Sequence, residues 1–223
     1  APTLSTNTGV TLNEGATANI VQTKLETTDP EQAAGSLTYT LNTAPGAGTL
    51  FVDADTDGKL DSGEGLSQGD TFTQANIDTG NFYYAHNGSE TTSDSFDVTA
   101  ADGNGGDTGV QTVNLTITPQ NDDPSVATNK GLTLNEGATA KIDNTALKVT
   151  DVEQLAVNRT YTLNTAPGAG TLFVDDNTDG KLDSGEGLSQ GDTFTQDNIN
   201  KDQLYFAHGG AENAKDSASL TVS

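Results

Sequence analysis

Residues 110–118 are Val-Gln-Thr-Val-Asn-Leu-Thr-Ile-Thr, and residues 95–100 are Ser-Phe-Asp-Val-Thr-Ala. In both stretches apolar and polar side chains alternate. Successive side chains of a β-strand point to opposite faces of the sheet, so this alternation predicts antiparallel strands with one buried face. No segment of the chain sustains the 3.6-residue period of an amphipathic helix. The two stretches therefore favour an all-β fold.

Other short apolar runs in the first half carry the same signal and are separated by Gly-rich turns. They are Val10–Leu12, Leu37–Leu41, Thr49–Val52, Thr71–Thr73 and Phe82–Ala85. Residues 74–77 are predicted to form a single helical turn. About seven strands in roughly 120 residues are typical of a Greek-key β-sandwich of immunoglobulin or cadherin type.

The chain is an internal duplication. Leu12-Asn-Glu-Gly15 recurs as Leu134-Asn-Glu-Gly137, and residues 40–77 recur almost unchanged as residues 162–199, at a constant offset of 122 positions. A period this long suits one small domain per repeat. We therefore predict a first domain over residues 1–120, a linker over residues 121–124 and a second domain over residues 125–223. The linker is so short that we expect the two domains to lie end to end.

The second repeat is predicted to be C-terminally incomplete. Ser223 corresponds to Ala101, so the counterpart of the strand at 110–118 is not in the sequence. Truncation, a part missing from the coordinates, or a strand supplied by another chain would each account for this. Since the sequence starts at Ala1 without a leader, we interpret it as a fragment or a processed product.

Composition excludes several classes of function. The chain has 32 Asp and Glu against 9 Lys and Arg, a net charge of −23, two His and no Cys. This charge opposes nucleic-acid binding, and the lack of Cys excludes disulfides and thiol chemistry. No apolar run approaches the roughly 18 residues of a transmembrane helix. A disordered acidic chain is the competing interpretation, but the alternating runs argue against it. Carboxylate oxygen is abundant, and calcium is the metal that prefers it.

Residues 53–64, Asp-Ala-Asp-Thr-Asp-Gly-Lys-Leu-Asp-Ser-Gly-Glu, fit the EF-hand pattern D-x-[DN]-x-[DN]-G-x5-E at every fixed position. In such a loop Gly58 makes the sharp turn, Lys59 offers its carbonyl, and Glu64 closes the shell with both oxygens. We expect Leu60 to point inward and anchor the loop. The predicted calcium ligands are Asp53, Asp55, Asp57, Lys59, Asp61 and Glu64, and in the second repeat Asp175, Asn177, Asp179, Lys181, Asp183 and Glu186.

A strand rather than a helix precedes this loop, so no helix pair is available to open as in calcium sensors. We therefore predict a structural role for the bound calcium. The competing interpretation is a solvated acidic turn that binds no metal.

The order of further landmarks resembles a known family. These landmarks are Glu14-Gly15, Asp29-Pro30-Glu31, residues 37–39 and 45–50, Phe72-Thr73-Gln74, Tyr84-Ala85-His86, Asp94-Ser95-Phe96, Ala101-Asp102-Gly103 and residues 121–124. Together they resemble the cadherin-like repeat of chondroitin-sulfate-proteoglycan type, as found in large bacterial RTX-type surface adhesins. The EF-type loop and the missing end of the second repeat depart from that pattern.

The resemblance implies calcium at the domain junction. Its ligands would be Glu14, Asn121, Asp122, Asp123, Asp151 and Glu153, with Glu90 or Asp94 as further candidates. By the same analogy Asp29, Glu31 and Asp102 would face a preceding domain. The alternative is that these side chains cap turns, as Asp and Asn often do.

The expected function is a calcium-binding, rigid extender that projects the binding tip of an adhesin from the cell, at an extracellular or bacterial-surface location. Its partners would be neighbouring repeats of the same polypeptide. The alternatives are a glycan- or protein-binding adhesion module and a non-catalytic accessory domain of a secreted enzyme. An enzyme is not expected, since His86 and His208 follow strand aromatics without a nucleophile motif.

Overall fold

The computed structural model describes residues 1–212 and 215–223. The chain divides into two compact units, Ala1–Gln120 (unit 1) and Asn121–Ser223 (unit 2). Short β-strands build both units, with one short α-helix in each among the described residues. The predicted all-β class is therefore confirmed.

Unit 1 holds the first ten strands and helix α1. They are β1 (Thr3–Asn7), β2 (Val10–Asn13), β3 (Thr17–Asn19), β4 (Leu25–Thr28), β5 (Thr38–Thr43), β6 (Gly48–Val52), β7 (Thr71–Thr73), α1 (Gln74–Asp78), β8 (Phe82–His86), β9 (Ser93–Ala101) and β10 (Gln111–Thr118). Each predicted strand appears within about two residues of its expected bounds. Strands β1, β3 and β4 were not predicted.

A five-stranded sheet of order β2-β10-β9-β5-β7 and a three-stranded sheet of order β3-β8-β6 form the body of unit 1, and β1 pairs with β4. Strand β10 pairs antiparallel with β9 but parallel with β2. The antiparallel pairing expected of residues 95–100 and 110–118 is therefore confirmed between β9 and β10, whereas the parallel pairing of β10 with β2 was not expected. The loop of residues 14–16 reverses the chain after β2, so that β3 joins the other sheet.

Aromatic side chains fill the space between the two sheets of unit 1. Phe72 stacks on Phe82 with ring centroids 4.0 Å apart, and Phe82 meets Phe96 edge-on at 6.5 Å. Tyr39 is fully buried, and its hydroxyl donates to Gln74 Oε1 at 2.6 Å. Burial raises the pKa of Tyr39 to about 12, so this hydroxyl keeps its proton and stays a donor.

Unit 2 repeats most of this architecture. Its elements are β11 (Ser125–Asn129), β12 (Thr139–Lys141), β13 (Leu147–Thr150), β14 (Thr160–Thr165), β15 (Gly170–Val174), β16 (Thr193–Thr195), α2 (Gln196–Asn200), β17 (Leu204–His208) and β18 (Ser219–Val222). The sheets have the orders β11-β13, β12-β17-β15 and β16-β14-β18. Residues 132–135, the counterpart of β2, form no strand.

None of the helices in the described parts of the chain is long and apolar enough to cross a membrane.

Candidate metal sites

The acidic loop of residues 53–64 (loop 1) is tied to β6 at both ends. Val52 N–H donates to the Glu64 carbonyl at 3.3 Å, and Phe51 bridges to Gly65. At the start of the loop, Asp53 N–H donates to the Asn81 carbonyl at 2.9 Å. Because β6 lies in a packed sheet, these bonds give the loop a fixed base.

Asp53 is the inner residue of loop 1, with 1% of its surface exposed. Its Oδ1 accepts the N–H of Thr56 at 2.7 Å, and its Oδ2 accepts the N–H of Gly58 at 2.8 Å. The chain winds around this carboxylate because Thr56 and Gly58 adopt left-handed backbone angles, with φ of 65° and 77°. That conformation strains a β-branched residue such as threonine, and such strain persists only where the surrounding structure enforces it.

Three carboxylates converge in loop 1. Asp53, Asp55 and Asp57 each offer an oxygen, and these oxygens lie within 4.8 Å of one another. The N–H of Asp57 lowers the pKa of Asp55, but partial desolvation and the nearby Asp57, Asp53 and Asp61 carboxyls outweigh it, so that the pKa is raised. Desolvation is the largest cause of this rise, and repulsion from the Asp57 and Asp61 carboxylates adds to it. A cation bound among these carboxylates would relieve that repulsion.

The remaining predicted ligands of loop 1 lie outside that group. Glu64 Oε1 accepts the N–H of Ala54 at 2.7 Å, and its Oε2 accepts the N–H of Asp61 at 3.1 Å. Lys59 places Nζ 3.5 Å from Asp57 Oδ2. Glu64 therefore closes the loop through backbone hydrogen bonds in this structure. The expectation that Leu60 points inward was wrong, because Leu60 is 40% exposed.

Loop 2, residues 175–186, has the same design. Asp175 is 1% exposed, and its Oδ2 accepts the N–H of Gly180 at 2.8 Å. Glu186 accepts the N–H groups of Asp176 and Asp183 at 3.1 and 3.0 Å. Loop 2 differs from loop 1 at two positions, where Asp176 replaces Ala54 and Asn177 replaces Asp55. The Asn177 amide donates to Asp183 Oδ2 at 2.8 Å, so one ligand position of loop 2 is neutral although the two loops carry the same net charge.

The other two predicted ligands of loop 2, Asp179 and Lys181, make the same contacts as Asp57 and Lys59 in loop 1. Asp179 Oδ1 accepts the N–H of Lys181 at 2.9 Å, and Lys181 Nζ lies 3.9 Å from Asp179 Oδ2.

Several of the predicted junction residues meet within unit 2. Asp122, Asp123 and Asp151 line a hollow of about 170 Å³ together with Ser125 and Thr150. The N–H of Asp122 donates to Glu153 Oε2 at 3.4 Å, and Asn121 Nδ2 donates to the Asp122 carbonyl at 2.9 Å. Nothing in the residue types of Ser125 and Thr150 distinguishes them from other strand residues, and sequence reasoning missed them.

The two carboxylate oxygens of Asp151 have different surroundings. Its Oδ1 accepts the N–H groups of Glu153 and Gln154 at 3.0 and 2.7 Å. Its Oδ2 is buried without a hydrogen-bond partner. An unpaired buried carboxylate oxygen is costly, so this atom fits a cation ligand better than a turn cap.

Asp29 of unit 1, the counterpart of Asp151, also has a carboxylate oxygen without a hydrogen-bond partner. Asp29 Oδ2 is buried and accepts no hydrogen bond, but the Ala1 ammonium lies 3.3 Å away. The pKa of that ammonium is raised, chiefly by Asp29, with smaller contributions from Glu31 and Asp102.

Two other predicted residues differ in their surroundings. Glu14 Oε2 accepts the N–H of Gln120 at 3.3 Å, while its Oε1 is buried and has no hydrogen-bond partner. Asp94 instead accepts the N–H groups of Gly46 and Ala47 and the hydroxyl of Tyr84 at 3.0, 2.9 and 2.8 Å. Asp94 therefore fits a structural role in unit 1 and not that of a junction ligand.

The histidines also make local contacts. His86 Nδ1 accepts the N–H groups of Gly15 and Gly88 at 3.1 and 3.2 Å, and Nε2 lies 2.9 Å from Thr91 Oγ1. His208 Nδ1 accepts the N–H groups of Gly137 and Gly210, each at 3.1 Å. Each imidazole thus joins two loops of its own unit.

The donor atoms of both loops suit calcium. They are carboxylate, amide and carbonyl oxygens, which are the ligands of hard cations, and each loop already winds around one buried aspartate. In a calcium-bound form, the carboxylates of loop 1 and their counterparts in loop 2 would hold the ion.

Comparison with known proteins gives the family. A family model described as Cadherin-like matches residues 2–117 and 124–223. The chain is 29% identical over 223 residues to human "Extracellular matrix organizing protein FRAS1", covering 100% of this chain and 5% of that protein. Over 130 residues it is 34% identical to human "Chondroitin sulfate proteoglycan 4", covering 57% of this chain and 5% of that protein.

The chain thus spans about one twentieth of the length of each of these relatives. Among solved structures, the D00-D0 domain of Intimin is similar with a TM-score of 0.29 at 10% identity, covering 100% of this chain and 98% of that one. A structural similarity this weak supports no conclusion. The two family matches, at residues 2–117 and 124–223, follow the two units along the sequence. They show that the chain belongs to the cadherin-like family, as two tandem repeats.

Proposed function

We propose that the chain is a calcium-braced pair of extender repeats from an extracellular or cell-surface protein. The observation that carries the proposal is the convergence of Asp53, Asp55 and Asp57, with oxygens within 4.8 Å of one another around a loop fixed to β6. Such a cluster opposes folding unless a cation neutralises it. Calcium binding at both loops would therefore stiffen each unit and make its stability depend on calcium.

The acids around Asp151 support a second calcium site. Asp122, Asp123 and Asp151 share one hollow, and the buried Asp151 Oδ2 has no hydrogen-bond partner. We propose that calcium held there orders the segment that begins unit 2, with Asn121 and Glu153 contributing. Ordered linkers would give a chain of such repeats the stiffness that an extender needs.

The extracellular setting rests on the relative FRAS1, which is an extracellular matrix organizing protein by name. A bacterial surface adhesin, with these repeats projecting a binding tip, is the setting we propose within that class. Neighbouring repeats of the same polypeptide are the proposed partners, and we propose no catalytic role.

An adhesion module that binds a protein or glycan directly is the alternative. It is favoured by one observation: Val152, Leu155 and Val157 are 70%, 69% and 55% exposed within one short loop of unit 2. An array of glycans and matrix proteins probed with the parent and with a Val152→Ser/Leu155→Ser variant tests this alternative. Binding that the variant loses would favour the adhesion module.

Calorimetric calcium titration tests the main proposal. The parent should bind calcium in both loops, Glu64→Gln should lose the loop 1 site, and Glu186→Gln should lose the loop 2 site. Glu212→Gln is the matched control, because it makes the same charge change at an exposed glutamate outside both loops. Titrations that are identical for all four proteins would refute calcium binding by the loops.

A further inference from the structure

An Asn-Gly pair lies beside a histidine in the loop that joins β8 to β9 of unit 1. Asn87 and Gly88 follow His86, the last residue of β8, and both are exposed. Gly88 has a left-handed φ of 77°. Apart from its chain neighbours, no atom of the described residues lies within 4 Å of the position that a Cβ of Gly88 would take. The pair is therefore open to water and has room for a change in its covalent structure.

Such a pair contains both partners of an intramolecular reaction. The glycine nitrogen attacks the side-chain carbon Cγ of the asparagine, so that the N–Cγ bond forms and the Cγ–Nδ2 bond breaks. The proton of the glycine nitrogen ends on the leaving group, which departs as ammonia. The product is a cyclic imide, and water opens it to aspartate or isoaspartate. No oxidant or reductant is needed.

A base is in place for the attacking nitrogen. The N–H of Gly88 donates to His86 Nδ1 at 3.2 Å. Because Nδ1 also accepts the N–H of Gly15 at 3.1 Å, it carries no proton. The ring proton is then on Nε2, which lies 2.9 Å from Thr91 Oγ1. An unprotonated imidazole nitrogen within hydrogen-bond reach of the attacking group is the arrangement of a general base.

A donor is also in place for the charge that develops during the attack. Asn87 Oδ1 accepts the N–H of Ser89 at 3.0 Å. Attack on Cγ moves negative charge onto Oδ1, and this N–H stabilises that charge as the donors of an oxyanion hole do. The N–H of Asn87 donates to the Ala47 carbonyl at 2.9 Å, which ties the start of the loop to the residue before β6. Nucleophile, base and oxyanion donor therefore meet at one asparagine.

Unit 2 keeps the histidine contact but not the asparagine. His208 Nδ1 accepts the N–H of Gly210 at 3.1 Å. Gly209 stands between these two residues, at the position of Asn87. Unit 2 therefore has the base at this position without a side-chain amide that could react.

The other Asn-Gly pair of the chain has no such base. Asn104 and Gly105 are exposed in the loop between β9 and β10. The N–H of Asn104 donates to Asp102 Oδ1 at 2.7 Å. Both imidazoles of the chain make their contacts elsewhere. This second pair is therefore a reference that has the same dipeptide and lacks the histidine.

We propose that Asn87 is a site of self-catalysed deamidation, with the Gly88 nitrogen as nucleophile and His86 Nδ1 as general base. Ser89 supplies the oxyanion donor, and Thr91 is a positioning residue that fixes the imidazole tautomer. Water is the co-reactant of the second step. The product adds a negative charge to this loop, and the isoaspartate form also lengthens the backbone of the loop by a carbon atom.

Incubation of the full chain at neutral pH, followed by peptide mapping with mass spectrometry, tests the proposal. The mass gain that marks conversion of an amide to a carboxylate is followed at Asn87 and Asn104 in the same sample. In the folded chain Asn87 should react at least about tenfold faster than Asn104, because only Asn87 has a base beside the attacking nitrogen. In concentrated urea the two rates should become similar, since unfolding separates His86 from Gly88.

Variants separate the base from the general effect of folding. His86→Gln keeps a hydrogen-bond acceptor but cannot take up the proton, so it should slow the reaction at Asn87 about tenfold and leave Asn104 unchanged. Thr91→Val should slow the reaction at Asn87 several-fold, and Thr91→Ser, which keeps the hydroxyl, should restore it. Because His86 is 6% exposed, the Tm of each variant is measured alongside. The comparison of Asn87 with Asn104 in the parent chain needs no substitution.

Three results would overturn the proposal. They are equal rates at Asn87 and Asn104 in the folded chain, a rate at Asn87 that rises on unfolding, and an unchanged rate at Asn87 in a His86→Gln variant that melts like the parent. The second result would show that the hydrogen bonds of the loop protect Asn87 and do not promote its reaction.

Discussion

Replacing Glu64 with glutamine should destabilise unit 1 far more in calcium than in chelator. Both Glu64 oxygens accept loop N–H groups, at 2.7 Å from Ala54 and 3.1 Å from Asp61. Glutamine keeps one acceptor and turns the other position into a donor that faces an N–H group. Losing one such bond costs about 1 kcal/mol of unfolding free energy, which is the effect expected without calcium.

In the presence of calcium, the substitution also removes the stabilisation that the bound ion provides. An ion that binds only the folded state stabilises it by about 2.7 kcal/mol when its concentration is one hundred times Kd. If the substitution removes most of that binding, the total loss in calcium is roughly 3–4 kcal/mol. For a unit of about 120 residues, 1 kcal/mol corresponds to roughly 3–4 °C in Tm, so we expect a drop of about 3 °C in EDTA and about 12 °C in calcium.

Scanning calorimetry of the full chain, with and without millimolar calcium, measures both values. Glu212→Gln provides the control for the loss of one charge, and the melting of unit 2 provides a reference in the same sample. If Glu64→Gln lowers Tm equally in calcium and in EDTA, then Glu64 acts only as a loop cap, and the calcium account of loop 1 fails.

Three further predictions follow from single contacts. Asn177→Asp should raise the calcium affinity of loop 2 several-fold toward that of loop 1, as measured by calorimetric titration, because it restores the missing carboxylate. Asp94→Asn should cost roughly 2–3 kcal/mol in urea unfolding at pH 7, because the carboxylate of Asp94 accepts several backbone and side-chain bonds. These bonds hold the pKa of Asp94 below its usual value despite the opposing effect of burial, which is the largest single influence. Its contribution should therefore be complete above the unfolded pKa of about 3.9 and be lost as the pH falls through the lower folded pKa, so the variant should show a weaker dependence on pH in that range. Gly48→Ala should cost about 3 kcal/mol, because the added Cβ would lie 2.4 Å from a backbone oxygen of β8, whereas Gly46→Ala, with its nearest atom 3.9 Å away, should have little effect on the same urea melts.

Strands were predictable where burial and apolar character coincide. Strands β9 and β10 bury every second residue, and those buried residues are apolar. Strand β4 was missed because one of its buried positions is Thr27, which is 1% exposed. Its hydroxyl lies 2.8 Å from the Tyr39 hydroxyl, and its N–H donates to Gln74 Oε1 at 2.8 Å. A polar residue that gains its partners only in the folded state gives no apolar signal in the sequence.

The parallel pairing of β2 with β10 could not be predicted from local patterns. These strands are about 100 positions apart, and their alternation fits either direction. The direction is set by the tight turn at residues 14–16, where Gly15 has a φ of 67° and its N–H donates to His86 Nδ1 at 3.1 Å. That contact depends on the position of β8, which no short window of sequence contains.

The candidate sites were predicted as residue sets but not in their details. Motif spacing supplied the candidate ligands of both loops, because the glycine and the alternate acids of such a loop are local features, and the convergence of Asp53, Asp55 and Asp57 agrees with it. The inward position expected for Leu60 was wrong, because the motif does not show whether a loop leucine reaches the core. The unpaired oxygens of Asp29 and Asp151 were also beyond sequence reasoning, because they depend on which backbone groups of the turn reach each carboxylate.

Anomalous X-ray diffraction from crystals grown in millimolar calcium tests the central claim most directly. The account predicts one anomalous peak inside each acidic loop, next to Asp53 in loop 1 and Asp175 in loop 2, and the loss of only the first peak in Glu64→Gln crystals. Two loops without anomalous density, with Asp53, Asp55 and Asp57 still converging, would contradict it.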